Sequence, residues 1–176
     1  MGLAASYRHS VAGKLWFLQG ISKEISTPMS LCSLDTNILL YAANEDAAEH
    51  AVCRNFMQTI VDAPADWVIA DQVYFELYIA LRNPKVMERP LSSAAAANHV
   101  STVRNELGIM HCGYQPECWN TAIRSMKSDD FPFRRTHDTV LAATLLAHGV
   151  KVFYTRNTKD FLAVGFEQVL NPVDLP

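Results

Sequence analysis

The segment that most constrains the fold is the run from Leu31 to Ala42, which changes within a few residues from a strand-like apolar pattern to a helical one. The apolar part ends at Asp35, and Thr36 and Asn37 are residue types that start helices. Open α/β folds repeat this strand-to-helix unit and bind ligands outside the carboxyl ends of their strands. The run therefore predicts a ligand-binding edge at Asp35, although a role in helix capping alone would also explain one aspartate there.

The rest of the chain alternates in the same way. Short apolar runs predict strands at 67–69, 150–154 and 166–170. Apolar residues at offsets of three and four predict helices at 47–60, 72–82 and 136–149, and two more within 91–127. We expect an α/β fold of three layers, with a central parallel sheet of four to five strands and helices on both faces.

Composition indicates one globular domain and no overall basic field. The chain has 176 residues, is 49% hydrophobic and carries a formal net charge of −3, so nucleic-acid binding would depend on local cations or metal ions. The cysteines lack paired metal-binding spacing and predict free thiols in a reducing, cytoplasmic setting. Only Cys112 and Cys118 beside His111 suggest a metal site, without a clear fourth ligand. No apolar run approaches the ~20 residues of a membrane span.

Residues 1–30 are expected to be a peripheral extension, with the domain occupying 31–176. The apolar run 15–18 is too short for the core of a signal peptide. Pro28 interrupts this segment, and Met29 is an alternative start. If the extension is native, the run 15–18 could contact a partner.

Two more carboxylates fall on predicted core-facing stripes of helices. Glu76 precedes Leu77 within one such stripe, and Asp138 begins another. A buried carboxylate needs a cation, a network of donors or a metal. Glu76 could therefore form an ion pair with Arg82 or Arg104. Asp138 could be explained by its interaction with the positive N-terminal end of the helix dipole alone.

A fourth acid, Asp160, follows the predicted strand at 150–154, close to Asn157. Several carboxylates at one sheet edge would repel one another and raise each other's pKa values unless divalent cations held them together. Ligation by oxygen alone suits Mg²⁺ or Mn²⁺. Such ions activate water for attack on phosphodiesters, and the chain has no phosphate-binding glycine loop that would suggest a nucleotide-binding alternative.

Four segments in this order resemble a PIN-domain ribonuclease of the VapC toxin type. They are Leu34–Leu39, Gln72–Leu77, the helix of Asp138, and Thr155–Phe161 ahead of Asn171-Pro172. The resemblance covers about 31–172. It implies a PIN fold, an Mg²⁺-dependent endonuclease acting on single-stranded RNA, a cognate antitoxin that inserts into the acidic groove, and a homodimer.

The resemblance also implies residue roles. The catalytic, metal-binding acids would be Asp35, Glu76, Asp138 and Asp160. Asp160 takes the fourth role because Asn157, at the other position where the family places an acid, is not ionisable. Hydrogen bonds that orient these acids would come from Thr36, Asn37, Thr155 and Asn157. Phosphate contacts would come from Arg134, Arg135 and Arg156, unless these are solvated loop charges.

Two other functions fit the same fold. One is a PIN-like module that only binds or scaffolds, against which the intact acid set argues because binding alone requires no mutually repelling buried charges. The other is a housekeeping PIN nuclease of RNA processing, which the lack of an appended RNA-binding domain disfavours.

Overall fold

The computed structural model describes residues 30–175. The predicted extension and the alternative start at Met29 lie outside these residues, apart from Ser30. Within 30–175 the strands are β1 (Cys32–Leu34), β2 (Val68–Ala70), β3 (Met110–Cys112), β4 (Val152–Tyr154) and β5 (Gln168–Leu170).

All strand pairs are parallel. β4 lies between β1 and β5, and β2 pairs with β3. A parallel bridge between Cys32 and Trp67 joins the two groups, so the order across the sheet is β3-β2-β1-β4-β5. The expected central parallel sheet is confirmed, with five strands.

The helices follow the predicted alternation. They are α1 (Thr36–Ala43), α2 (His50–Asp62), α3 (Asp71–Leu81), α4 (Ser93–Glu106), α5 (Pro116–Met126), α6 (Thr136–Ala147) and α7 (Thr158–Phe161). Three-residue 3₁₀ turns lie at Pro64–Asp66, Phe133–Arg135 and Pro172–Asp174. Parallel crossovers are right-handed. The helices between β1, β2 and β3 therefore cover one face, and those between β3, β4 and β5 cover the other.

The core lies where the central strands meet the helices. Leu34 of β1, Ile69 of β2 and Phe153 of β4 are fully buried. Phe153 stacks on Phe166, with ring centroids 4.9 Å apart, and packs against Phe161 of α7 at 4.7 Å. Continuous apolar runs are what a sheet covered on both faces requires, which is why the sequence pattern located these strands.

Three elements differ from the sequence expectation, one of them the short helix α7, which was not predicted. β3 was not predicted, because it is an edge strand in which Met110 is exposed and His111 is half-buried, so it has no apolar run. The first helical stretch is also divided into α1 and α2. Asn44 ends α1 in an extended conformation, and its side chain accepts a hydrogen bond from the Asp46 N–H at 3.2 Å.

All four cysteines are free and buried, which confirms the free thiols that the sequence predicted. Burial raises the pKa of the thiols of Cys32, Cys53 and Cys112 to about 11, so these groups stay protonated and unreactive at neutral pH. His111 lies 3.1 Å from the Tyr74 hydroxyl rather than in a group of metal ligands. No helix within 30–175 is long and apolar enough to cross a membrane.

Candidate active site

The strand order creates one crevice at the carboxyl edge of the sheet. β1 and β4 are neighbours, but the chain leaves them toward opposite sides of the sheet, which makes this the topological switch point where open α/β folds bind ligands. Asp35 directly follows β1, and Thr155 directly follows β4. The site therefore begins with these two side chains.

Asp35 is buried, with 9% of its surface exposed. Its Oδ2 accepts hydrogen bonds from Thr155 Oγ1 and Asn37 Nδ2, both at 2.7 Å. The Asn37 amide also donates to Thr155 Oγ1 at 3.1 Å. Although Asp35 occupies the N-cap position of α1, its side chain makes no capping hydrogen bond. Capping is therefore not what this carboxylate does.

The electrostatic environment of Asp35 disfavours its charge. Burial raises the pKa of its carboxyl from 3.8 to about 6, against the opposing effect of the Thr155 hydrogen bond. The negative charges of Asp138 and Glu76 raise this pKa further. Three acids from three different elements thus act on one another in the same crevice.

Glu76 is half-buried and held at both of its oxygens. Thr36 Oγ1 donates to Oε2 at 2.8 Å, and Gln72 Nε2 donates to Oε1 at 2.8 Å. The same Gln72 amide donates to the backbone carbonyl of His137 at 3.0 Å. Gln72 therefore links the helix that carries Glu76 to the first turn of α6.

The ion pair considered for Glu76 is absent among the described residues. Arg104 instead pairs with Asp71 at 3.0 Å, and Arg82 donates to the Tyr78 hydroxyl at 2.8 Å. The donors on Glu76 are consequently neutral, and its negative charge stays in the crevice.

Asp138 lies half-buried in the first turn of α6. Burial is the main cause that raises the pKa of its carboxyl, followed by the charges of Asp160 and Glu76. Arg135 and His137 oppose this rise in the pKa of Asp138. Asp138 thus connects the Asp35 side of the crevice with the Asp160 side.

The two candidates for the fourth acid are placed differently. Asp160, in α7, is close enough for its charge to act on Asp138. Asn157 occupies the N-cap position of α7 and is exposed, and its backbone N–H donates to Thr155 Oγ1 at 3.0 Å. Asp160 therefore belongs to the acidic group, whereas the observed contact of Asn157 is made by its backbone.

Two of the three arginines proposed to bind substrate already have acidic partners. Arg135 Nε lies 4.0 Å from Asp160 Oδ1, and its guanidinium also donates to the Asp160 backbone carbonyl. Arg156 Nε lies 3.5 Å from Glu49 Oε1. Arg134 is exposed and packs over the ring of Phe133.

The acids form an open arrangement. Within residues 30–175 no three His, Cys, Asp or Glu side chains are grouped closely enough to bind one ion directly as they stand. Their donor set, four carboxylates and no sulfur or imidazole, nevertheless suits a hard divalent cation. Mg²⁺ commonly keeps several waters and uses one or two protein carboxylates, and an open crevice satisfies that requirement.

Gln72 was missed by the sequence analysis. Its spacing of four residues from Glu76 was a usable signal, because side chains at i and i+4 meet on a helix surface. Its bond to His137 gave no signal, since that partner is 65 positions away.

The fold and the crevice define a parallel α/β domain with an acid-lined ligand site at its switch point. The sequence model for the PIN domain matches residues 33–167. This chain belongs to the PIN domain family.

Known proteins resemble the chain over most of its length. Ribonuclease VapC24 of Mycobacterium tuberculosis is 37% identical over 146 residues, which are 81% of this chain and 97% of that protein. The structure of M. tuberculosis VapC20, a toxin that cleaves the sarcin–ricin loop, superposes with a TM-score of 0.59 at 17% identity and covers 77% of this chain and 95% of its own. The structure of a toxin–antitoxin complex from Klebsiella pneumoniae superposes with a TM-score of 0.54 at 16% identity, covering 82% of this chain and 99% of that chain. The two structural similarities support the fold.

Proposed function

We propose that this protein is a cytoplasmic, Mg²⁺- or Mn²⁺-dependent endoribonuclease that cleaves single-stranded RNA and acts as the toxin of a toxin–antitoxin pair. The observation that carries the proposal is the set of acids at the switch point of a PIN domain, where the charges of Glu76, Asp138 and Asp160 raise the pKa of a neighbouring carboxyl. The similarity to Ribonuclease VapC24 supports the RNA substrate.

The four acids are the proposed catalytic and metal-binding residues. Buried carboxylates that repel one another cost stability unless a cation offsets their charge. Arg135 contacts only one member of this group, Asp160, among the ion pairs of the described residues. Asp35, Glu76, Asp138 and Asp160 would therefore hold the metal, directly or through its waters.

The chain's other polar side chains orient these acids. Thr155 and Asn37 fix the Asp35 carboxylate through its Oδ2 atom. Thr36 and Gln72 fix the plane of the Glu76 carboxylate. When bound, the metal supplies activation of water and neutralisation of phosphate charge.

A cognate antitoxin is the proposed protein partner. One structural neighbour is a toxin–antitoxin complex, and the acidic crevice offers negative charge to cationic side chains of an inhibitor. Insertion there would block RNA and metal together, because both depend on the same carboxylates.

The direct test is cleavage of a labelled single-stranded RNA pool by the purified protein. We expect cutting with Mg²⁺ or Mn²⁺, none in EDTA, and recovery when metal is restored. A protein that binds the pool but leaves it intact with either metal would contradict the proposal and favour a binding module.

Gln72 is expected to set metal affinity without being a catalytic residue. Gln72→Met keeps the side-chain length but removes both donated hydrogen bonds, so Glu76 loses one orienting contact. Loss of such a support typically costs about 10- to 100-fold in metal affinity or activity. Calorimetric titration with Mn²⁺ should show weaker metal binding by Gln72→Met than by the parent. Gln72→Glu is not a suitable test variant, because it adds another negative charge that repels the acids. Unchanged Mn²⁺ affinity would reduce Gln72 to a packing role.

A homodimer is proposed through the α3–α5 face, defined as Phe75, Ile79, Tyr114 and Trp119. The exposed fractions of these residues are 71%, 63%, 49% and 60%. Tyr114 lines two cavities: an apolar one shared with Trp119, and one shared with Phe75 and Ile79 that also includes Gln72 and Glu76. A patch of this kind on one protein marks an interaction surface, and a self-complementary patch forms a twofold dimer.

Charge placed on the α3–α5 face should break this dimer. We expect Ile79→Lys and Trp119→Lys to be monomers by light scattering. Leu162→Lys, equally exposed at the end of α7, should remain a dimer like the parent. A monomeric parent, or dimers that persist in both face variants, would overturn the assignment.

A further inference from the structure

Phe133 is the most exposed large apolar residue within 30–175, with 80% of its surface accessible. It begins the 3₁₀ turn Phe133–Arg135 that leads into α6, and its carbonyl accepts a hydrogen bond from Thr136 Oγ1 at 2.7 Å. Burial of a phenyl ring is favourable. A ring held outside the core by an ordered turn is therefore available to a ligand.

Phe133 shares its 3₁₀ turn with Arg135, a residue that contacts the acidic crevice. Arg135, two positions along the chain, contacts Asp160, and its charge acts on Asp138. Two peptide units span at most about 7 Å between Cα atoms. The Cα atom of Phe133 therefore lies within about 7 Å of the Cα atom of Arg135, whose side chain reaches Asp160.

Arg134 adds a cation to the same point. Its Cζ lies 5.7 Å from the centroid of the Phe133 ring. Arg135 and Arg156 are engaged by Asp160 and Glu49. Arg134, by contrast, lies beyond 4.0 Å of every carboxylate in the described part of the chain. Its guanidinium can therefore donate hydrogen bonds to a phosphate.

We propose that Phe133 and Arg134 form a subsite for one unpaired nucleotide of the RNA, with the base stacked on the Phe133 ring and a phosphate on the Arg134 guanidinium. This inference rests on the proposed ribonuclease function and specifies how its substrate is held. The crevice itself repels phosphates because of its acids. Stacking offers attraction that is independent of charge and tolerant of base identity.

The surroundings favour a nucleotide over a protein partner. The exposed chain neighbours of Phe133 are Pro132, Arg134, Thr136 and His137, three of which are polar, whereas the core of a protein interface is depleted in charge. The subsite also requires an unpaired base, because bases in a duplex are already stacked on each other. It therefore accounts for a preference for single strands.

The test measures binding of a short fluorescein-labelled RNA of mixed sequence by anisotropy in EDTA, so that no cleavage is needed. Phe133→Leu retains an apolar side chain but has no π-face, and Phe133→Trp retains the stacking surface. We expect Phe133→Leu to bind about 5- to 100-fold more weakly and Phe133→Trp to bind as tightly as the parent. Arg134→Gln should lower the slope of log affinity against log salt by about one.

Two further readouts separate stacking from structure. The added tryptophan of Phe133→Trp should be quenched by single-stranded RNA and not by the same RNA annealed to its complement. In Mg²⁺, Phe133→Leu should raise KM more than it lowers kcat.

The outcomes distinguish this inference from the proposed function. RNA that binds through Phe133 but is never cut would support the subsite and contradict the ribonuclease. Normal cutting together with equal RNA affinity in Phe133→Leu and the parent would overturn the subsite alone. If Phe133→Leu binds RNA normally and Phe133→Ala loses only a protein partner, the residue belongs to a protein interface and the subsite is wrong.

Discussion

Asp35→Asn and Asp138→Asn are each expected to lower the rate of RNA cleavage by about 100- to 10,000-fold while the protein stays folded. Both changes keep the side-chain shape and remove one negative charge from the crevice. Other acids act electrostatically on both Asp35 and Asp138, so we expect either loss to weaken the binding of the proposed divalent cation. The measurement is the single-turnover rate at saturating Mg²⁺.

The matched control is Asp130→Asn, which removes the same charge from an exposed position in the loop between α5 and α6. Its rate should equal that of the parent. The double variant of Asp35 and Asp138 should be little slower than either single variant, because residues that act as one unit are not additive. Single variants that retain full activity would place the chemistry outside this crevice.

The positions of the acids were predictable because local patterns encode them. Asp35 ends an apolar strand run, and Asp138 opens an apolar helical stripe. In a parallel sheet every strand delivers its following residue to the same edge, so strand and helix boundaries alone bring these acids together. That inference required no knowledge of long-range contacts.

The partners of the acids were less predictable because they depend on tertiary packing. Thr155 meets Asp35 across 120 positions of sequence, and Gln72 meets His137 across 65. Glu76 illustrates the same limit. Its helical stripe was correct, but the structure gives it neutral donors instead of the arginines that sequence proximity suggested.

The charge state of Asp35 predicts that the metal-free protein becomes less stable as the pH rises. Its carboxyl has a pKa of about 6 in the folded protein against 3.8 as the ordinary value, so the folded state binds the proton more tightly than the unfolded state does. The contribution of Asp35 to the free energy of unfolding therefore falls between about pH 4 and pH 6 and is level above that range. A shift of this size corresponds to roughly 2–3 kcal/mol.

Asp35→Asn isolates this contribution. An asparagine carbonyl can still accept the hydrogen bonds from Asn37 and Thr155 but carries no charge. In EDTA, urea unfolding should show equal stability for variant and parent at pH 4 and an advantage of roughly 2–3 kcal/mol for the variant at pH 7. The pKa of buried His99 is lowered by burial. Its effect on the free energy of unfolding is the same in parent and variant, so it cancels when the two are compared.

Metal should reverse the order of stability. A ligand that binds only the folded state stabilises it according to its concentration and affinity, and Mg²⁺ should do so for the parent far more than for Asp35→Asn. The stability gap at pH 7 should therefore shrink or change sign as Mg²⁺ is added. A variant that is less stable than the parent at pH 7 in EDTA would mean that the charged form of Asp35 contributes to the fold by itself. In that case its burial would be explained without a cation, and the main physical reason for placing a metal in the crevice would be lost.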